Sequence, residues 1–241
     1  MGKQQKEILE VEKLLTSREY NENLKRFGAF DGMKAIVLYG IFIIVLIIQS
    51  LTYMSNLSVE MLNGLQIIFP LILLVIGIMF VVLSKEKLCT VGLTGTRVLQ
   101  SLLWGVLLAI CLLIGMVIYF RFIENVAVGV IAPMISSLGI FFIGAFEEEI
   151  VFRGYIQTRL IGIIKKPVLC SLCTGFLFLL MHYPARWMVT GFSLFTLPLY
   201  YVVCLVLLHF VCDFVYKKTN CLWGAIGLHF LYNIGQSMLV L

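Results

Sequence analysis

The sequence contains few charged residues. Only 13% of its 241 residues are Asp, Glu, Lys or Arg, whereas 61% are hydrophobic. A soluble domain is typically about half apolar and about a quarter charged. This deficit excludes an ordinary water-soluble domain and predicts a membrane protein. Most of the basic residues behind the net charge of +5 cluster in short loops, so no nucleic-acid partner is expected.

The sequence also lacks a disulfide framework, an internal repeat and a low-complexity tract. Its seven cysteines are an odd number and mostly occupy apolar runs, where they are expected to behave as small hydrophobes. The first thirty residues are charged and mixed, which is not the pattern of a cleavable signal peptide. We expect residues 1–31 to form a cytoplasmic segment, either a solvated tail or an amphipathic helix on the membrane surface. The apolar positions at helical spacing in this segment are Ile8, Val11, Leu14 and Leu15.

Long apolar runs fill the rest of the chain. A membrane-spanning helix needs about 20 mainly apolar residues, and backbone groups in lipid must be hydrogen-bonded internally, which favours helices. We therefore predict an all-α, polytopic transmembrane helical bundle with about seven (six to eight) spans. The predicted spans lie near residues 33–54, 62–83, 98–120, 127–147, 168–183, 195–216 and 222–240.

Basic residues alternate between the connections. They follow the second, fourth and sixth predicted spans, whereas the first and third connections contain few of them. Because Lys and Arg accumulate in cytoplasmic loops, this pattern predicts a cytoplasmic amino terminus in a multi-pass membrane protein. The residues concerned are Lys85, Lys87, Arg97, Arg153, Arg159, Lys165, Lys166, Lys217 and Lys218.

Three consecutive carboxylates follow the fourth apolar run, at Glu147, Glu148 and Glu149. Charges beside or within a membrane segment are rare and usually face a polar interior, although a position in the membrane interface is an alternative. On a helix, Glu149 and Arg153 share a face and can pair. Glu148 is rotated by about 100° from Glu149, so the two carboxylates are expected to have different roles.

The histidines form a second pattern. The chain has only three, His182, His209 and His229. Phe178 precedes His182 by one helical turn, and Asn233 follows His229 by one turn, so each pair shares a helix face. His209 shares a face with Asp213, which is interpreted as a buried hydrogen-bonded pair, a support for the site or a proton relay. Apart from this pairing, Asp213, Lys217 and Lys218 look like an ordinary helix end.

Position along the helices provides an independent test. If 165–167 is the turn of a helical hairpin, Glu148 lies about 18 residues before it and His182 about 16 after it, so both stand about 25 Å from the turn. An antiparallel hairpin then brings them level in the membrane. Pro184 should stop or kink the helix just after His182.

At these residues the sequence resembles the CAAX-protease and bacteriocin-processing (CPBP, or Abi) family of intramembrane proteases. The family pattern is E-E-x-x-x-R, then F-x-x-x-H, then H-x-x-x-N or D. The matching residues are Glu148, Glu149, Arg153, Phe178, His182, His229 and Asn233. The motifs cover about 145–235, and Glu147 departs from the pattern by adding a third glutamate. The resemblance divides the chain into the 1–31 segment, N-terminal transmembrane helices at 32–125 and a catalytic transmembrane core at 126–241.

The resemblance implies an intramembrane endopeptidase that cleaves a peptide or a membrane-tethered protein, and we expect it to lie in a bacterial plasma membrane. We hypothesise that Glu148 is the general base for a water molecule that His182 orients. His229 and Asn233 would donate hydrogen bonds to the developing oxyanion.

The remaining motif residues, Glu149, Arg153 and Phe178, are expected to support this site. Zinc is the competing account, because Glu148, His182 and His229 resemble the ligand set of many zinc peptidases. No H-E-x-x-H motif is present, however, and Asn233 suits hydrogen bonding better than ligation. We therefore favour a reaction with no required cofactor and keep Zn²⁺ as the alternative.

Two other function classes are open to such a sequence. A non-catalytic relative acting as a membrane scaffold or immunity protein would not need the three intact motifs. A proton-coupled transporter would use intramembrane Glu and His residues, but discontinuous helices in paired halves are not evident. The sequence encodes neither the substrate nor the oligomeric state.

Overall fold

The computed structural model describes residues 15–55, 57–127, 129–131, 135–190 and 197–240. Its regular structure is almost entirely helical. The α-helices are α1 (Arg18–Leu24), α2 (Ala29–Tyr53), α3 (Val59–Leu83), α4 (Val98–Ile118), α5 (Ile135–Glu148), α6 (Thr158–Ile164), α7 (Pro167–Leu180), α8 (His182–Thr190), α9 (Leu199–Thr219) and α10 (Trp223–Met238). A 3₁₀ turn (Leu88–Val91) and two π-helical stretches (Tyr119–Ile123 and Glu149–Gln157) complete the helical part. The prediction of an all-α helical bundle is confirmed.

The extended structure in the described ranges is one short antiparallel pairing. Strand β1 (Gly129–Val130) lies against β2 (Leu239–Val240), which follows the end of α10. This pairing joins the carboxyl-terminal end of the bundle to the connection before α5.

Within the described ranges, five helices are long and apolar enough to cross a membrane: Ala29–Tyr53, Glu60–Leu83, Val98–Ile123, Pro167–Pro184 and Leu199–Thr219. The predicted spans near 127–147 and 222–240 correspond to α5 and α10, which have only 14 and 16 residues. Both carry polar side chains, and α5 also exposes Ile135 and Phe142. The start of the predicted span at 195 and part of the connection before α5 lie outside the described residues.

The predicted helical hairpin is present. α6 ends at Ile164, Lys165 adopts a left-handed conformation with φ of 60°, and Pro167 begins α7. Proline is favoured at the first position of a helix because that position needs no backbone donor. α7 ends at Leu180, and a separate helix, α8, starts at His182, so Pro184 lies in the first turn of a new helix.

α4 packs most extensively against α10. Their close approach requires glycine, because a methyl group on Gly105 would lie 3.0 Å from the backbone carbonyl carbon of Gly224. Ser101 of α4 reinforces the crossing, since its hydroxyl accepts a hydrogen bond of 2.9 Å from the Gly224 amide. Small residues of this kind let membrane helices approach closely.

The amino-terminal segment packs on the bundle from Arg18 onward. Ser17 caps α1, and Tyr20 of this helix is 1% exposed. The remainder of the predicted amphipathic pattern, at Ile8, Val11 and Leu14, lies outside the described residues. α2 begins at Ala29, slightly before the predicted boundary at residue 31.

The structure corrects the interpretation of Arg153 and Arg159 as loop residues of a cytoplasmic connection. Both side chains are fully buried. Arg159 forms an ion pair with Glu86 and donates a hydrogen bond of 2.7 Å to the carbonyl of Gly154. A count of basic residues along the sequence does not detect this pairing because Glu86 is remote in the chain.

Candidate active site

Four of the predicted site residues line one cavity. It has a volume of about 420 Å³ and lies between α5, the start of α8, α9 and α10. Glu148, His182, His229 and Asn233 all face it. The structure therefore brings together residues from three separated sequence motifs, as the hairpin geometry predicts for Glu148 and His182.

The two motif glutamates face different surroundings. The side chain of Glu148 is 18% exposed toward the cavity, whereas that of Glu149 is fully buried. Glu149 Oε1 lies 3.0 Å from Arg153 Nη1 and 2.9 Å from His229 Nδ1. The predicted Glu149–Arg153 pair is thus present, and this carboxylate also holds a histidine of the cavity wall.

The type of helix changes between Glu148 and Glu149. α5 ends at Glu148, and the π-helical stretch Glu149–Gln157 follows without a break in the chain. Every residue of this stretch is buried. π-helical stretches are uncommon and occur frequently at functional sites. Here the stretch carries both Glu149 and Arg153 into the centre of the bundle.

Both histidines of the cavity are fixed through Nδ1. In His182 this nitrogen lies 2.8 Å from the carbonyl oxygen of Phe178. A carbonyl oxygen can only accept a hydrogen bond, so Nδ1 must be the donor. His229 Nδ1 is held by the Glu149 carboxylate, and His229 Nε2 is 3.7 Å from Oε2 of Glu148.

Phe178 packs among the charged and aromatic groups of the site. Its ring centroid lies 5.1 Å from that of His182 and 6.2 Å from that of His229. The guanidinium carbon of Arg153 lies 4.1 Å from the same centroid. None of the Arg153 side-chain nitrogens has a hydrogen-bond partner in the described residues, so an ion pair and a cation–π contact hold this side chain.

Residues 130–235 match the family model described as type II CAAX prenyl endopeptidase, Rce1-like. This segment is similar to that family. The resemblance identified from the sequence motifs is thereby confirmed, over somewhat less than half of the chain. No curated protein and no solved structure matches the chain significantly. The match supports an integral membrane endopeptidase of the CAAX type.

Glu147, the additional glutamate in the Rce1-like segment, does not line the cavity. Its side chain is 3% exposed, and its Oε2 has no hydrogen-bond partner among the described residues. Glu148 and Glu149 are therefore the two glutamates that contact the other motif residues, in agreement with the register set by Arg153.

The predicted pairing of His209 with Asp213 is wrong. His209 Nε2 lies 3.0 Å from the backbone oxygen of Ser171, whereas Asp213 accepts a hydrogen bond of 2.5 Å from the Ser171 hydroxyl. Asp213 also accepts from Gln157 at 2.5 Å and pairs with Lys217 at 2.7 Å. This buried carboxylate is therefore part of a network inside the Rce1-like segment and not an ordinary helix end.

Several cavity residues were not identified from the sequence. Tyr232 and Gln236 follow His229 by three and seven residues on α10, and this helical spacing would have placed them on the same face. Tyr201 of α9 has no comparable signal. Its ring centroid lies 6.1 Å from that of His182.

Proposed function

We propose that the chain is a CAAX-type intramembrane endopeptidase in which Glu148 activates a water molecule. The observation that carries the proposal is the convergence of Glu148, His182, His229 and Asn233 on one cavity. A peptide or membrane-tethered protein would present its scissile carbonyl there. Water would attack the carbonyl carbon, and Glu148 would accept the proton and deliver it to the leaving amine.

The hydrogen bond of His182 supports its proposed part in this reaction. Because Nδ1 donates to the Phe178 carbonyl, a neutral ring has its lone pair on Nε2. That nitrogen can accept a hydrogen bond from water but cannot donate one to an oxyanion. His182 is therefore suited to orienting the water that Glu148 deprotonates.

His229 is suited to donating a hydrogen bond to the oxyanion. Its Nδ1 is occupied by Glu149, so donation from Nε2 requires a ring protonated on both nitrogens. Such a ring would lie between the carboxylates of Glu149, at 2.9 Å, and Glu148, at 3.7 Å. With the amide of Asn233 it would stabilise the negative charge that develops on the carbonyl oxygen.

The proposal is tested with Glu148→Gln in the full-length protein reconstituted in liposomes. The substrate is a quenched fluorescent peptide with a prenylated CAAX end, as the family description suggests. Loss of the general base should lower the rate by about 10²- to 10⁴-fold. Glu22→Gln, an exposed glutamate on α1, should leave the rate unchanged. Cleavage by Glu148→Gln at more than a tenth of the wild-type rate would contradict the assignment.

The zinc alternative requires metal-binding side chains that lie close together. Among the residues that the structure describes, no three His, Cys, Asp or Glu side chains form a group that could hold a metal ion. Glu148, His182 and His229 share the cavity without forming such a group, and no step is assigned to a metal. We expect protein of verified low metal content to cleave the same peptide at an unchanged rate in the presence of a chelator. Loss of cleavage that is restored by Zn²⁺ would overturn this mechanism.

A further inference from the structure

A second polar cavity lies at the end of the bundle where α2 begins and α3 ends. It has a volume of about 470 Å³ and shares no lining residue with the candidate active site. Its wall is made by the end of α1, the first turn of α2 and the connection after α3. The lining residues are Arg26, Phe27, Asp31, Ser84, Lys85, Glu86, Lys87, Cys89 and Thr90.

The unpaired charges of this cavity are all positive. Within the described part of the chain, the side chains of Arg26, Lys85 and Lys87 have no ion-pair partner. The two acidic lining residues are already neutralised. Glu86 is paired with the buried Arg159, and Asp31 lies 3.1 Å from Lys34. The wall therefore presents three cations to an anionic ligand.

Hydrogen bonds hold the wall in place. Asn23 donates to the backbone oxygen of Thr90 at 2.9 Å, and the Thr90 hydroxyl donates to Glu86 at 2.8 Å. Lys85 follows the end of α3 in a left-handed conformation with φ of 57°, and the backbone amide of Glu86 donates a hydrogen bond of 3.1 Å to the carbonyl of Val81. The two lysines are thus attached to a connection of defined shape, which reduces the entropic cost of binding.

Apolar surface adjoins the cations. Phe30, next to Asp31 in the chain, is 74% exposed, and Leu83, next to Ser84, is 73% exposed. Both lie at the ends of helices that are long and apolar enough to span a membrane. The cavity is therefore placed where lipid head groups meet acyl chains.

We infer that this cavity binds the phosphate of an anionic phospholipid, with Arg26, Lys85 and Lys87 as its cationic ligands. A phosphate group also occurs in soluble ions, but the adjoining exposed Phe30 and Leu83 favour a ligand with acyl chains. Basic pockets between membrane helices are suited to such head groups. The inference is independent of the proposed peptidase activity.

The test compares two double variants of the full-length protein in detergent. Lys85→Gln/Lys87→Gln removes two cavity cations. Lys165→Gln/Lys166→Gln is the matched control, because it removes two exposed lysines from the hairpin turn, and Lys165, like Lys85, is left-handed. Phosphatidylglycerol, phosphatidylcholine and inorganic phosphate are titrated while bound lipid is counted by native mass spectrometry and the unfolding midpoint is recorded.

Phosphatidylglycerol should bind saturably and raise the midpoint of the wild type and of the control variant, whereas phosphatidylcholine should not. Two lost cations should weaken this binding by about 30-fold. Equal binding to both double variants, or equal binding of the two lipids, would overturn the inference. An equal effect of inorganic phosphate would overturn the lipid assignment. If Lys85→Gln/Lys87→Gln does not fold, Arg26→Gln is used, and unchanged phosphatidylglycerol affinity in that variant would likewise contradict the inference.

Discussion

Two clusters of polar side chains are attached to opposite ends of the π-helical stretch Glu149–Gln157. The open cluster consists of Glu148, Glu149, Arg153, His182 and His229 and borders the candidate active-site cavity. The closed cluster consists of Tyr20, Gln157, Ser171, Asp213 and Lys217, with Asp213 at its centre.

The clusters differ in how far their hydrogen bonds are satisfied. Both oxygens of Asp213 accept hydrogen bonds, from Gln157, Ser171 and Lys217. Among the described residues of the closed cluster, only Gln157 Oε1 is buried without a hydrogen-bond partner. The open cluster has more such atoms, namely one oxygen each of Glu148 and Glu149 and the side-chain nitrogens of Arg153. A buried polar group without a partner costs free energy, so a native cluster that retains several is expected to serve another purpose. The comparison assigns chemistry to the open cluster, with the buried Glu149–Arg153 pair as its structural support, and stability alone to the closed cluster.

Arg153→Met should have the largest effect and tests whether a residue of the open cluster is structural. The substitution removes the Arg153 guanidinium from the buried Glu149 carboxylate, and breaking a buried ion pair costs about 3–5 kcal/mol. The free energy of unfolding is measured in mixed micelles. Arg97→Met is the matched control, because its ion pair with Glu19 is 41% and 52% exposed and should contribute less than about 1 kcal/mol. Equal losses in the two variants would contradict the assigned role of Arg153.

Asn233→Ala should lower the peptidase rate and leave the stability of the protein almost unchanged. Its amide makes no hydrogen bond within the described residues, so the free energy of unfolding should be little changed. Removing one oxyanion donor typically lowers the rate by about 10²- to 10³-fold. Rate and unfolding are measured on the same preparation, with the exposed Asn63→Ala as control. A destabilised variant with a normal rate per folded molecule would show that Asn233 has a structural role instead.

Asp213→Asn should have the smallest of the three effects, on stability alone. The amide keeps the shape of the side chain but leaves Lys217 without its carboxylate, so we expect a loss of about 1–3 kcal/mol. Asp31→Asn, whose pair with Lys34 is more exposed, should lose less than about 1 kcal/mol. The peptidase rate of the folded Asp213→Asn protein should be unchanged. A loss of rate without a loss of stability would remove the distinction between the clusters.

Local rules predicted a large part of this structure. Apolar runs predicted the helices, the 165–167 turn predicted the hairpin, and helical spacing predicted that Glu149 meets Arg153 and that Phe178 lies near His182. These features depend on residues close in sequence or on a known helix geometry. The convergence of Glu148 with His229 rested on the family pattern, because no local rule relates α5 to α10.

The remaining features depend on contacts that sequence spacing does not encode. Arg159 was interpreted as a loop residue because its partner Glu86 lies in a connection more than two helices earlier. Helical spacing paired Asp213 with His209, but both residues contact Ser171 of a neighbouring helix instead. The backbone oxygen of Ser171 accepts a hydrogen bond from His209, and its hydroxyl donates one to Asp213. The π-helical stretch was not predicted either, because a shift in backbone hydrogen bonding has no necessary side-chain pattern.

The π-helical stretch has a consequence for insertions and deletions. Hydrogen bonds in a π-helical stretch span one residue more than those of an α-helix, so shortening 149–157 by one residue would change both this pattern and the rotation of α6 relative to α5. Glu148 could then face the cavity only if Arg159 turned away from Glu86. The length of this stretch is therefore as restrictive as its chemistry, whereas the connection at 92–97 can change length without re-aiming a buried charge.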